Sequence, residues 1–394
     1  MANAGDALVL AWRQLIHRGV KLVAALAGAC VAIVLMVMQL GFMVALYDSA
    51  RTIPSALAGD LVVTSTLFRT MSYTPPWISR ALMDQARADP EVVAAVPVYA
   101  QNIAVGSSGS GERMPAWLLG VPPHERAFIR PDIQASLSLV SQPNRFLLDD
   151  ESRGGFRQLA RQVARDGSAQ FVVPLAAGTV HYSGEISGVF SLGPTFTIDG
   201  TLITSDLNFL RLTGQPLDRV SLALLQLAPG SDPAAAKSRL QALLGDSARV
   251  LTRQQFLDQE RNYFANETPI GYIFGVGLVV GMVVGIVFIL QALHGIISDN
   301  LREYAVLRAM GCGDRFFVWL VGGMALAFAL TAYLPSVLAS AWLYRVARSA
   351  TQLPLQMHAT DMAAILGVVL LMGAAATVMA LGKLRKANPV DLFG

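Results

Sequence analysis

Four stretches of the chain contain no Asp, Glu, Lys or Arg: those between Lys21 and Asp48, Glu267 and Asp299, Arg315 and Arg345, and Asp361 and Lys383. Each is at least as long as the ~20 apolar residues that cross a bilayer as a helix. Helices are the expected spanning form, because backbone in hydrocarbon must satisfy its own hydrogen bonds. The spacing of one run, a long polar interval and then three runs predicts a membrane protein of four transmembrane helices (1+3), with a large α+β domain between the first and second. The expected division is an interfacial amphipathic helix over 1–21, spans over 22–47, 268–297, 316–344 and 362–382, and the large domain over 48–267. A cytoplasmic loop then covers 298–315, a short outer loop 345–361 and a tail 383–394.

Within this frame the finer patterns predict local elements. Leu8, Trp12, Leu15 and Ile16 fall on one face of a helix over 7–21, with Arg13, Arg18 and Lys21 elsewhere, as suits a helix lying at headgroup level. The first span is expected to run on to about Ala50, ahead of Pro54. Leu61 to Val63 begin a strand, and 76–88 reads as a helix between Pro75–Pro76 and Pro90. Strands over 92–105 and 114–121 flank a Gly/Ser tip at 106–111, which lacks the Lys-Ser/Thr ending of a phosphate loop. Alternating β-formers from Phe171 to Phe209, punctuated by glycine, suggest a β-rich subdomain over about 165–220. A strand over 220–227, a helix over 233–244 and a strand over 249–251 follow. Thr252 caps a polar helix that leads into the second span.

Composition agrees with this division: 54% of the 394 residues are hydrophobic and only 14% charged, and most acidic residues lie between Asp48 and Glu267. A formal charge of +3, without a basic patch interleaved with aromatics, gives no sign of nucleic acid as a partner. The basic residues sort by side instead. Arg13, Arg18 and Lys21 precede the first span, Arg302, Arg308 and Arg315 lie between the second and third, and Lys383, Arg385 and Lys386 follow the fourth. By the positive-inside rule both termini and the 298–315 loop are cytoplasmic, and 48–267 lies outside. The two cysteines, Cys30 and Cys312, fall outside the large domain, which must therefore hold together by its own core. The first run is too long for the h-region of a signal peptide and reads as a retained helix.

Catalytic chemistry has no visible seat. The sequence holds no Walker motif, His-Glu-x-x-His, paired-cysteine metal site or nucleophile elbow, and its histidines are scattered at 17, 124, 181, 294 and 358. The spans contain no Asp, Glu, Lys or Arg for proton or ion coupling, so transport would draw its energy from another chain. Two features remain. Gly277, Gly281 and Gly285 share one face of the second span, a small-xxx-small seam suited to close helix packing with a partner that could be a second copy of the chain. Asn300 and Glu303 open a short helix over Leu301–Met310 that Gly311 ends, a rigid element of ~10 residues suited to docking in a soluble partner's groove.

The run Leu301-Arg302-Glu303-Tyr304-Ala305-Val306-Leu307-Arg308-Ala309-Met310-Gly311 resembles the cytoplasmic signature of the MacB/FtsX superfamily of ABC permeases, whose layout of spans is also one plus three. Within it the chain looks like a DevC-type permease. The resemblance rests on Leu10–Leu15, Met38–Phe42, Ala45–Ala50, Leu202–Phe209, Val250–Gln254 and Lys383–Ala387. It implies a non-catalytic permease homodimer in the bacterial inner membrane, with its large domain in the periplasm. Two copies of a separate ABC ATPase would bind ATP and Mg, and this chain would hold no cofactor. A periplasmic adaptor (membrane fusion protein) and a TolC-like outer-membrane channel are the further partners implied. The helix with Leu301, Arg302, Glu303, Tyr304, Leu307, Arg308, Met310 and Gly311 is then the ATPase-coupling element of a type VII tripartite exporter for an amphiphilic or lipid-like cargo. The same layout admits two other readings: an FtsX-like transducer acting on a cell-wall hydrolase, and a lipoprotein-releasing permease.

Overall fold

The computed structural model describes residues 11, 20–107, 113–174, 181–351 and 355–386. Of the interfacial helix expected over 1–21 all but residues 11, 20 and 21, of the Gly/Ser tip expected at 106–111 residues 108–111, and of the tail residues 387–394 lie outside these residues. The chain divides into two compact units, a helical one and one formed mainly by 45–269.

In chain order the described elements begin with α1 (Val20–Ala56), β1 (Leu61–Thr64), β2 (Ile78–Ser79), α2 (Arg80–Ala86), β3 (Val92–Ser107) and β4 (Arg113–Val121). α3 (Pro131–Ser136), β5 (Arg145–Asp149), α4 (Phe156–Asp166), β6 (Ala169–Pro174), β7 (His181–Phe190) and β8 (Gly200–Ser205) follow. Next come α5 (Asp206–Thr213), β9 (Arg219–Val220), β10 (Leu222–Leu227), α6 (Pro233–Leu244), β11 (Arg249–Thr252) and α7 (Arg253–Asn262). A π-helical turn, Tyr263–Glu267, leads to α8 (Pro269–Asp299), α9 (Leu301–Ala309), α10 (Asp314–Thr351) and α11 (Ala359–Lys386).

Four of these helices, α1, α8, α10 and α11, are long and apolar enough to cross a membrane, and the mixed α/β domain is inserted between the first and second of them. All but α8 outrun the uncharged stretches. α10 continues to Thr351 through what reads in sequence as a loop at 345–361, and α1 runs past Pro54 to Ala56 rather than stopping near Ala50. A proline so close to a helix end removes a single backbone bond, and the turn closes beyond it with Leu57 N donating to Pro54 O. Inside the helical unit Met36, Leu293, Leu320, Met324, Phe328 and Val369 are buried in one cluster. Two of its buried polar side chains bond to backbone, which lowers their cost in lipid: Tyr344 Oη donates to Val37 O (2.6 Å) and Ser336 Oγ to Ala332 O (2.6 Å).

The inserted domain is organised by one nine-stranded sheet, order β11-β1-β10-β3-β4-β8-β5-β7-β6. The long strand β3 serves two parts of it. Its first half pairs antiparallel with β10, its second half with β4, and Gly106–Ser107 at its tip pairs with β6. Because β4, β8, β5, β7 and β6 are joined in turn, these six strands close on themselves, a solution that removes two sheet edges. The β-rich stretch expected at 165–220 is thus no separate subdomain: β6, β7 and β8 complete a ring with β3, β4 and β5.

Local differences from the sequence reading have physical causes. Leu207 to Phe209 are helical, because Ser205 Oγ accepts from Asn208 N and starts α5 there. Ile78–Ser79 pair with β9, so α2 begins only at Arg80, with Ser79 as its cap. The run at 220–227 is broken at Ser221, whose hydroxyl binds Ala100 N (2.9 Å) across the sheet. Gly120 gives room for α5, since a Cβ there would lie 2.5 Å from Phe209 Cβ. Asn208, nearly fully buried, accepts from Asn144 N (3.0 Å) and donates to Val140 O (3.2 Å) and Gln142 O (2.9 Å), pinning the 140–145 loop to α5. Asn208→Ala leaves these backbone groups unpaired and is expected to cost on the order of 3 kcal/mol, read as a lower unfolding midpoint of the full-length protein in denaturant.

Candidate functional site

The short helix α9 sits between α8 and α10. Asn300 does not cap it as the sequence suggests: its backbone has φ −107°, and its Nδ2 instead donates to Ile296 O (2.9 Å), tying the junction back to the last turn of α8. The other end stops as expected at Gly311, whose φ of +89° suits glycine. Tyr304 is buried and meets Phe317 of α10 edge-on, with ring centroids 6.0 Å apart. Leu301 and Leu307 are half-buried against the same apolar cluster, and Arg308 Nη2 pairs with Asp314 Oδ1 at 3.1 Å. Arg302, Glu303, Val306, Ala309 and Met310 are exposed. Spaced three and four apart, they form one face of mixed charge and apolar surface, on a helix held at its back by an aromatic contact and at its end by an ion pair.

The glycine seam of α8 is filled from within the same chain. A Cβ on Gly277 would lie 2.7 Å from Gln39 Nε2, and one on Gly281 2.6 Å from Met36 Cγ, both on α1. Gly285 faces Met372 of α11 and Ala32 of α1. The seam therefore seats α1 and α11 of the same chain. On the opposite face of α8, Tyr272, Val279 and Val283 are exposed.

A second region, which periodicity did not single out, lies in the inserted domain where α1 ends and α7 begins. Arg253 Nη1 donates to Leu57 O (2.6 Å) and its Nη2 to Ser55 O (2.6 Å). Eight residues further along α7, the Arg261 guanidinium lies 5.7 Å from the Tyr47 ring centroid. The pairing 253 with 55–57 and 261 with 47 sets the outer end of α1 antiparallel to α7. A capping box, with Thr252 Oγ1 accepting from Gln255 N and Gln255 Oε1 from Thr252 N, fixes where α7 starts. The sequence signal for this stalk was the Thr252 cap alone.

Among the described residues no cluster of three His, Cys, Asp or Glu side chains could hold a metal ion. The features described are an exposed helix face in one unit, and in the other a stalk of two fastened helices that are continuous in sequence with spans.

Residues 275–389 match the FtsX-like permease C-terminal family. A search of curated proteins finds no match. Among solved structures, the periplasmic region of MacB from Actinobacillus actinomycetemcomitans is similar at 10% identity, covering 55% of this chain and 98% of that one, with a TM-score of 0.34. The extracellular domain of the noncanonical ABC-type transporter YknZ from Gram-positive bacteria aligns at 11% identity, covering 49% of this chain and 99% of that one, with a TM-score of 0.30.

Because Met36 lies against Gly281, Gly281→Leu should destabilise the detergent-solubilised chain by about 1–3 kcal/mol through overpacking. Val279→Leu, on the exposed face, should leave its thermal unfolding unchanged.

Proposed function

We propose that this chain, which belongs to the MacB/FtsX permease superfamily through its FtsX-like C-terminal domain, works as the membrane subunit of an ATP-driven exporter that turns ATPase motion into a shape change of its large domain. The observation that carries the reading is α9. Its back is anchored by Tyr304 on Phe317 and its far end by Arg308 on Asp314, while Arg302, Glu303, Val306 and Met310 face outward. Permeases of this superfamily work with ABC ATPases. An ATPase subunit that grips the outward face displaces α9 as a rigid body, and α8 and α10, its immediate neighbours in sequence, move with it. ATP and Mg are bound by that partner, and this chain supplies no catalytic group.

In this reading the protein is a homodimer in a bacterial inner membrane with cytoplasmic termini. The inserted domain lies in the periplasm and hands an amphiphilic or lipid-like cargo to an adaptor and a TolC-like duct. The antiparallel fastening of α1 to α7 supports the mechanical part, since a stalk whose two helices slip past each other would absorb motion rather than pass it on.

Two measurements test this. Glu303→Lys should lower transport-coupled ATP hydrolysis by about fivefold or more with membrane insertion intact; unchanged coupling would count against α9 as the ATPase contact. For orientation, a cysteine placed at the exposed Leu243 should react with an impermeant maleimide added to whole spheroplasts. Labelling only after lysis would put the domain in the cytosol and end the exporter reading.

A further inference from the structure

We propose that Glu260 is a proton-binding site that latches a strap, residues 65–73, onto the stalk helix α7, so that lifting the strap releases a proton. The strap follows β1 and is fastened to β11, α7 and the π-helical turn. Arg249 Nη2 donates to Thr66 O (2.8 Å) and Gln259 Nε2 to Phe68 O (2.9 Å). Phe68 stacks on Phe256 with ring centroids 5.7 Å apart, and Tyr73 meets Tyr263 edge-on at 6.2 Å. Arg69 pairs with Glu267 at 2.5 Å.

At the centre of this clasp is one carboxyl group, wholly buried. Thr70 Oγ1 lies 2.6 Å from Glu260 Oε2, and Met71 N donates to Oε1 at 2.7 Å. Both carboxyl oxygens are thus committed to the strap.

What Glu260 lacks, among the described residues, is a cation. The charged and titratable groups on the elements packed around it are engaged elsewhere. Arg69 is on Glu267, Arg249 on Thr66 O and Gln259, Arg261 over Tyr47, Asp258 on Gln254, and Tyr73 against Tyr263. A buried carboxylate with no counter-ion is costly, and it escapes the cost by taking up a proton. The site is built for one. Thr70 Oγ1 already accepts from Ser72 N (3.0 Å) and has a second lone pair that can accept from a protonated Oε2. Burial raises the Glu260 pKa from 4.5 to about 8.

With the strap lifted, water reaches the carboxyl group and its pKa returns towards the ordinary range. The closed strap therefore binds the proton more tightly than the open one. The stabilisation it receives is full below about pH 4.5 and is lost as pH rises through about 8. The proton leaves Glu260 for solvent on opening and returns on closing, with no other co-reactant. Because α7 leads directly through the π-helical turn into α8, such a latch would also set how readily the stalk moves. That consequence rests on the exporter reading, whereas the proton site rests on the inserted domain alone.

Amide hydrogen exchange at Met71 and Ser72, measured on the full-length chain in lipid nanodiscs between pH 5.5 and 8.5 and corrected for intrinsic exchange, tests the proposal. In the wild type the opening constant should rise about tenfold per pH unit up to pH 7.5 and level off above about 8. In Glu260→Gln, which keeps the shape and hydrogen-bonding capacity of the protonated acid, it should not depend on pH. Glu267→Gln, which breaks the exposed Arg69 ion pair but leaves Glu260 in place, should keep the wild-type slope. A flat wild-type profile overturns the proposal, even if Glu260→Gln fails to fold. So does a slope that survives in Glu260→Gln or disappears in Glu267→Gln. None of these outcomes bears on Glu303 and the ATPase, so failure here leaves the exporter reading standing.

Discussion

The stalk depends on how Arg253 ends α1. A helix leaves its last carbonyls without partners, and in α1 Pro54 weakens that end further. Arg253 supplies two charge-assisted hydrogen bonds to Ser55 O and Leu57 O, each of a kind worth roughly 1.5–3 kcal/mol. The same residue is the first of α7, so the group that finishes one helix also fixes the start of the other. Thr252 and Gln255 close the remaining freedom through the capping box. A lysine there could reach one carbonyl but could not bridge two with a planar fork. With this end fastened and Arg261 on Tyr47 at the other, the two helices have one register.

Much of the architecture could be read in advance because it follows from solubility. Charge-free runs of the right length have few options in water or lipid, so the spans and their 1+3 order follow from the placement of Asp, Glu, Lys and Arg. Turn and cap chemistry located Thr252 and Gly311 for a similar reason, since a Thr ahead of Gln255 and a Gly at positive φ each solve a local problem. The closed ring of strands was not visible. Its closure depends on Gly106 and Ser107 at the tip of β3 meeting Val172 and Phe171 of β6, a pairing between segments far apart in sequence. Alternation reports that a strand has two faces, not which strand lies beside it. The Asn300 cap failed because the chain leaves α8 and enters α9 almost without a break, so the side chain found a carbonyl behind it, at Ile296, before an amide ahead of it.

The candidate site divides in the same way. The α9 helix was legible as a capped segment between two spans, and its partition into a buried Tyr304 and an exposed Glu303 follows from helical spacing once the buried side is known. The glycine seam was legible as a seam but not as to its partner. Small residues every fourth position permit close approach by any helix, and only the packing shows that Met36, Gln39 and Met372 fill the space. Glu260 was invisible as a special residue. In α7 it reads as one more polar position among Gln255, Asp258 and Arg261, and its burial is created by the strap from β1.

That strap explains a contrast between the two acids that are buried among the described residues of the inserted domain. Asp149 is also fully buried, but it accepts from three backbone amides, those of Glu151, Leu192 and Gly193. These hold the negative charge in place of water, and burial raises its pKa only to about 6. Glu260 has one amide and one hydroxyl. The number of N–H groups aimed at a buried carboxylate decides whether it stays ionised, because each offsets part of the lost hydration. Asp149 therefore acts as a fixed anion that shapes the 190–193 loop at neutral pH. Glu260, with fewer donors and its contacts made to a segment that can lift away, is the acid whose charge state follows its conformation.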